Sequence, residues 1–277
     1  ARIQHFINSG LVLVNYKTAK AKTPLKNGDN VQIWMPPPEP LVYLKPEKMD
    51  LEILFEDEHI IVINKQSGLI VHPAPGHKSG TLVNGLLFHC NDLPGINGKL
   101  RPGIVHRLDK DTSGCMVVAK SQEALVNLQK QIKEKIASRE YIAVIHGAPN
   151  SEEGQIVGHI GRDKFNRLKY KVVEEASGRY ACTYWKLKER LGNYSLMNFK
   201  LDTGRTHQIR VHCAHINHPI VGDPLYGRCK KLPCKLEGQA LHAFKLGLIH
   251  PINGKEMIFE AELPLDFQKL LNVLKVK

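Results

Sequence analysis

Three short stretches of this chain concentrate groups that can do chemistry. The first, His106-Arg107-Leu108-Asp109-Lys110-Asp111-Thr112-Ser113-Gly114, packs two cations, two carboxylates and two hydroxyls between apolar residues. Asp109 stands between Arg107 and Lys110, and neighbouring cations favour its ionised form. An ionised carboxylate in a pocket can serve as nucleophile or general base. Taken alone, the same aspartate fits a structural ion pair better than a catalytic role. The second stretch holds Arg139 and Tyr141. The third, Thr203-Gly204-Arg205-Thr206-His207-Gln208-Ile209-Arg210-Val211-His212, puts His207 and Arg210 three residues apart, on one face of a helix.

Other chemistries find less support. His207, His212, His215 and His218 are close in sequence, but Asp202 and Asp223 lie outside the cluster and no carboxylate completes a metal-ligand register. No metal is expected, and His207 and His212 are read as hydrogen-bonding or phosphate-contacting groups. Neither a Gly-x-Gly-x-x-Gly nor a Walker-type loop is present, so no nucleotide cofactor is expected either.

The elements that must position these stretches are read from periodicity. Residues 2–9 give a helical face with Gly10 as its stop, followed by a strand at Leu11–Asn15, a lysine-rich turn (Lys17, Lys20, Lys22, Lys26) and a strand at Val31–Met35. The proline run at 36–40 marks a linker reaching to about residue 50, so the domains are taken as 1–35 and 51–277, joined by 36–50. Strands are expected at Leu51–Phe55, Ile60–Ile63, Cys115–Ala119 and Tyr141–Ile145. Thr81–Phe88 is read as a helix burying Leu82, Leu86 and Leu87. Ser121 is the expected cap of a helix with Leu125, Leu128, Ile132 and Ile136 on one side and Lys130, Lys133 and Lys135 in solvent. The basic segment Gly158–Lys171 reads as a mobile loop. Gly192-Asn193 joins two long strands in a hairpin. A strand at Leu241–Leu248, another at Met257–Leu263 and a helix through Phe267 and Leu274 close the chain. Hairpin-linked strands with scattered helices give an α+β class with a mixed, largely antiparallel sheet.

Composition narrows the partners. Across 277 residues, 39 Lys and Arg against 27 Asp and Glu leave a charge of +12, which favours a polyanion, nucleic acid first. The six cysteines form no Cys-x-x-Cys pair, as suits reduced thiols in an intracellular compartment. No apolar run approaches the roughly 18 residues of a membrane span, so no membrane partner is expected. The chain opens inside a helical pattern, and further residues are expected upstream.

Together, in this order, the three stretches resemble the pseudouridine synthase family of the RluA/RluD type. The likeness runs from about residue 51 to 264 and rests on His106–Gly114, on Arg139-Glu140-Tyr141 leading to Gly147, and on Thr203–His212. Gly222-Asp223-Pro224-Leu225-Tyr226-Gly227 and Leu241-His242-Ala243 add weaker echoes. Residues 1–35 resemble the C-terminal part of a small S-four-type RNA-binding domain. Gln66 departs from the family pattern, where proline is usual. The resemblance implies a cofactor-free enzyme that isomerises uridine in RNA. Asp109 would be the catalytic aspartate, Tyr141 would stack on the uracil and assist the last proton removal, and Arg210 would pair with Asp109. Arg107 would fill the place of a flipped-out nucleotide, with His106, Arg139, Thr203, Arg205 and His207 also on the substrate. Large-subunit rRNA is the first expected substrate and tRNA the second. The protein is expected to act as a monomer, in a bacterial cytoplasm or an organelle.

Overall fold

The computed structural model describes residues 2–34, 44–73, 77, 79–90, 93–94, 102–227, 232 and 234–275. The chain separates into two compact units, Ala1–Tyr43 and Leu44–Lys277. The proline run at 36–40 lies outside the described residues.

In the first unit, α1 (Arg2–Asn8) precedes β1 (Val12–Val14), β2 (Lys17–Thr18) and β3 (Val31–Ile33). The strands form an antiparallel sheet in the order β2-β1-β3. Asp29 ties the β1–β2 turn to the approach to β3, accepting from the Asn15 amide at 2.8 Å and from the Lys26 N–H at 2.7 Å. Lys17, Lys20, Lys22 and Lys26 are exposed.

The second unit runs β4 (Ile53–Glu56), β5 (Ile60–Lys65), α2 (Leu82–His89), β6 (Ser113–Ala119), α3 (Gln122–Lys133), β7 (Ser138–His146), β8 (Glu153–Arg162), β9 (Tyr170–Val173), β10 (Arg179–Leu191), β11 (Tyr194–Leu201), α4 (Gln208–His215), β12 (Leu241–Ile249), β13 (Glu256–Glu260) and α5 (Leu265–Lys275). Its strands make one ten-stranded sheet in the order β4-β5-β6-β12-β7-β11-β10-β8-β9, with β13 added beside β12. Every pairing is antiparallel except β12 with β6, where His242 lies opposite Ser113 and Ala243 opposite Gly114. This is the mixed α+β sheet expected from the hairpin pattern.

Side chains that alternate across a strand enter two cores. Ile61, Ile63, Met116 and Val118 pack on one face with Leu82 and Leu86 of α2, Ile209 and Cys213 of α4, and Phe267, Leu270 and Leu274 of α5. Ile60, Val62, Cys115 and Val117 pack on the other with Ala124 and Leu128 of α3. Because the central strands bury both faces, their sequences read as continuous apolar runs.

Three local expectations need correction. Helix α3 is capped by Ser121, whose Oγ accepts from the Ala124 N–H at 3.2 Å, but its buried line is Ala124, Leu128 and Gln131. Gln131 sits there because its amide completes the edge of β12, donating to the Ile249 carbonyl at 2.6 Å and accepting from the Ile249 N–H at 2.9 Å. The helix stops at Lys133, Lys135 turns at φ +63°, and Ile136 is left 46% exposed. The Gly158–Lys171 segment is a β8–β9 hairpin rather than a loop, with Asp163 Oδ1 accepting from Phe165 and Asn166 to close its turn. Leu87 is only half-buried.

Helix α4 is fastened to the sheet by His212, which has no exposed surface and meets Thr183 Oγ1 through Nδ1 at 2.9 Å. That placement rules out the expected phosphate contact. Burial, together with nearby His215, pulls the His212 pKa down to about 4. The unfolded chain then binds the extra proton between pH 6.5 and 4, so stability falls as the pH drops through that window. The loss due to His212 is expected to be on the order of 3 kcal/mol. His212→Gln should flatten the pH dependence of urea unfolding over this range, and an unchanged slope would contradict the assignment.

Candidate active site

The loop from His106 to Thr112 delivers Asp109 to a cleft of about 550 Å³. It enters β6 through Gly114 at φ +116°, where any Cβ would run into the carbonyl of Ala243. The bare position allows the close parallel approach of β12. The loop is held at several points. Leu108 is buried, Thr112 Oγ1 accepts from Gln239 Nε2 at 2.9 Å, and the Ser67 hydroxyl donates to the Asp111 carbonyl at 3.2 Å. Lys65, at the end of β5 and 1% exposed, donates to the carbonyls of Gln66, Leu69 and Lys110 at 2.8–2.9 Å. Burial lowers its pKa to about 7 against the pull of Asp109 and Asp111, yet three acceptors around one nitrogen require all three ammonium protons.

Arg210, on α4, comes to Asp109 from the other side. Its Nη1 donates to Asp109 Oδ2 at 2.9 Å, while Nε and Nη2 grip Asp223 at 2.7 and 3.0 Å. Burial alone would lower its pKa, but Asp223 and Asp109 drive it above the usual arginine value. Asp223 Oδ1 also accepts from the N–H groups of Leu225 and Tyr226, so its acceptors are saturated within the protein. Asp109 is in a different state: Oδ2 is held by Arg210, and Oδ1 faces the cleft with His207 Nε2 at 4.0 Å.

His207 caps α4 in the left-handed region, φ +55°. Its Nδ1 lies 2.9 Å from the Tyr226 hydroxyl, which already accepts from the Tyr170 N–H at 2.8 Å. The simplest proton assignment has Tyr226 donating to Nδ1, which puts the Nε2 proton toward Asp109. Burial lowers the His207 pKa more than Asp109 raises it. Tyr141, on β7, lines the cleft at 6% exposure, and burial raises its phenol to about 12.

The structure therefore brings Asp109, Tyr141, Arg210, Arg107, Arg139, Arg205 and His207 to one cleft. Arg107 is exposed and lies 3.4 Å from His72 Nε2 through Nη1. Arg139 is 7% exposed, and its Nε has no hydrogen-bond partner among the described residues. His106 and Thr203 also line the cleft, with His106 Nε2 and Thr203 Oγ1 engaged within the protein. His106 Nε2 accepts from the Val117 N–H at 3.2 Å, and burial with Arg139 nearby lowers its pKa to about 3. Thr203 Oγ1 accepts from the Cys182 N–H and donates to Gln208 Oε1, knotting the turn before α4. Lys135, expected in solvent, pairs with Asp202 at 2.7 Å. Sequence reasoning assigned no role to Asp223 or Lys65. In the sequence Asp223 stands only within a weaker family echo, and Lys65 lies just past the apolar strand Ile60–Ile63. No group of metal-binding side chains occurs among the described residues, and no described helix is long and apolar enough to cross a membrane.

These features place the Asp109 carboxylate in a cation-lined cleft carried on loops of a mixed sheet. Residues 59–215 match the family model for RNA pseudouridylate synthase. A relative in Synechocystis, described as an uncharacterized RNA pseudouridine synthase, is 49% identical over 99% of this chain and 84% of its own length. The ribosomal large subunit pseudouridine synthase D of Zymomonas mobilis is 44% identical over 99% of this chain and 89% of its own. Human RNA pseudouridylate synthase domain containing 4 shares the fold, with a TM-score of 0.62 at 24% identity over 81% of this chain and 93% of that one. The chain belongs to the RNA pseudouridylate synthase family and is an isomerase acting on RNA.

Breaking a buried ion pair from one side costs about 3–5 kcal/mol, because the remaining charge is stranded. Asp223→Ala should destabilise the protein by this amount in chemical denaturation and depress turnover, since Arg210 would no longer be fixed against Asp109. A variant with unchanged stability would show that Asp223 does not anchor Arg210.

Proposed function

We propose that this enzyme isomerises uridines of large-subunit ribosomal RNA, with Asp109 as the catalytic carboxylate acting on a nucleotide turned out of its stack. The observation that carries this reading is the asymmetry of Asp109, one oxygen fixed by Arg210 and the other open to the cleft. In the reaction the bond from uracil N1 to the ribose breaks, the base turns, and C5 bonds to the ribose and gives up its proton. Asp109 starts the detachment, by attack or by deprotonation. Arg210 holds the carboxylate aimed. Tyr141 supplies a flat, apolar platform for the uracil, and Arg107 occupies the gap left in the RNA. Extracting a nucleotide costs a few kcal/mol, on the order of one stacking step, and phosphate contacts from the basic surface offset it.

Support for ribosomal RNA comes from the names of relatives such as the Zymomonas mobilis protein. The first unit, with its four exposed lysines, would add RNA affinity in the manner of an S-four-type module; the enzyme is taken to act as a monomer in a bacterial cytoplasm or an organelle. Asp109→Asn should lower pseudouridine formation by at least roughly a thousandfold while RNA binding persists. Full turnover in that variant would exclude the mechanism. Pseudouridine mapping in cells lacking the protein should show loss at large-subunit rRNA positions; loss confined to tRNA would move the substrate assignment there.

A further inference from the structure

Beside the Asp109 cleft the same unit carries a second one, also of about 550 Å³, and Gly204, Arg205 and Thr206 line both. Its walls include the ends of the β8–β9 hairpin and the start of β10. Three guanidinium groups border it, those of Arg162, Arg179 and Arg205, and no carboxylate does. Two nearby lysines have carboxylate partners, Lys135 with Asp202 at 2.7 Å and Lys171 with Asp163 at 3.7 Å. Among the described residues, none of the three arginines has a carboxylate partner.

Two of the guanidiniums are oriented by the protein through part of their donor set. Arg162 Nη2 donates to the Tyr170 hydroxyl at 3.0 Å, with the ring 5.4 Å from the guanidinium carbon. Arg205 Nε donates to the Tyr180 carbonyl at 2.8 Å. At the shared wall, a Cβ on Gly204 would come within 2.9 Å of Arg139 Nη1, so bare backbone separates the two clefts. Like charges gathered without an acid repel each other until an anion arrives, and the planar guanidinium fork matches a phosphate.

We propose that this second cleft is a phosphate subsite gripping the RNA backbone beside the nucleotide held in the Asp109 cleft. The assignment rests on RNA being the substrate, as argued above. It places part of the substrate's hold on Arg162 and Arg179, which lie outside the three stretches that carry the family resemblance.

The test is the salt dependence of binding to an unmodified transcript of large-subunit rRNA, measured for the full chain. Arg162→Ala/Arg179→Ala should bind roughly tenfold more weakly at low salt, with the slope of log K against log salt shallower by about 1.4, for two lost single-strand contacts. Arg162→Lys/Arg179→Lys should recover most of that slope, because a point charge still neutralises a phosphate. If the alanine pair fails to fold, Arg179→Glu at its exposed position carries the test and should weaken binding in the same salt-dependent way. A folded variant with wild-type affinity and slope would overturn the subsite. Absence of binding by the wild type would overturn it together with the rRNA reading. Arginine-dependent binding without pseudouridine formation would support the subsite and strike the substrate reading alone.

Discussion

The site depends on a buried cation with two anions. Arg210 is almost fully enclosed, and taking a guanidinium out of water costs several kcal/mol unless its charge and donors are met inside. Asp223 meets most of that need, with two of the guanidinium bonds. Asp109 takes the third. Since Asp223 Oδ1 also accepts from two backbone N–H groups, the two carboxylates differ: one anchors the arginine, and the other keeps an oxygen open to the cleft. Lys65 lies behind Asp109, its ammonium buried among three carbonyls, so the aspartate stands between two enclosed positive charges.

That arrangement requires segments about a hundred residues apart to meet within a hydrogen-bond length, and the sheet supplies the precision. The Asp109 loop ends in β6, Arg210 follows the β10–β11 hairpin, and Asp223 precedes β12. Strands β6 and β12 are parallel neighbours, locked at their start by Gly114 against Ala243 and by Ser113 Oγ at 2.8 Å from His242 Nδ1. His242 Nε2 in turn reaches the Ala261 carbonyl at 3.1 Å. Gln208 does similar work for α4, binding Cys182, Thr183, Thr203 and Arg205 and thereby fixing the turn from which Arg210 projects.

Local signals in the sequence marked the elements well: the Ser121 cap, the Gly192-Asn193 hairpin, and the apolar runs of β5 and β6 all stand where periodicity put them. The polar stretches were also legible as a set, because their order carries the family resemblance. What periodicity could not show were facts of tertiary contact. Gln131 occupies a core position because it serves the edge of β12, more than a hundred residues away, and this turns the buried line of α3 away from the one its leucines suggest. His212 looks like a phosphate ligand by spacing but is enclosed beneath the sheet. Asp223 looks like an ordinary turn residue, and only the fold shows that Arg210 points at it. Gln66 departs from the family pattern, yet the atom the structure uses there is its backbone carbonyl, which proline would equally supply.

Protonation states sharpen the division of labour within the proposed reaction. Tyr141 is held near pKa 12 by burial, so at neutral pH it is a phenol and not a phenolate. A group in that state can pack against a base and donate a hydrogen bond. Of the two carboxylates lining the cleft, Asp202 is tied to Lys135, while Asp109 keeps Oδ1 open. Under the proposed mechanism the open oxygen of Asp109 faces the detaching base, and Tyr141 holds the uracil while it turns. The bond to Arg210, itself pinned by Asp223, fixes where the Asp109 carboxylate stands in the cleft.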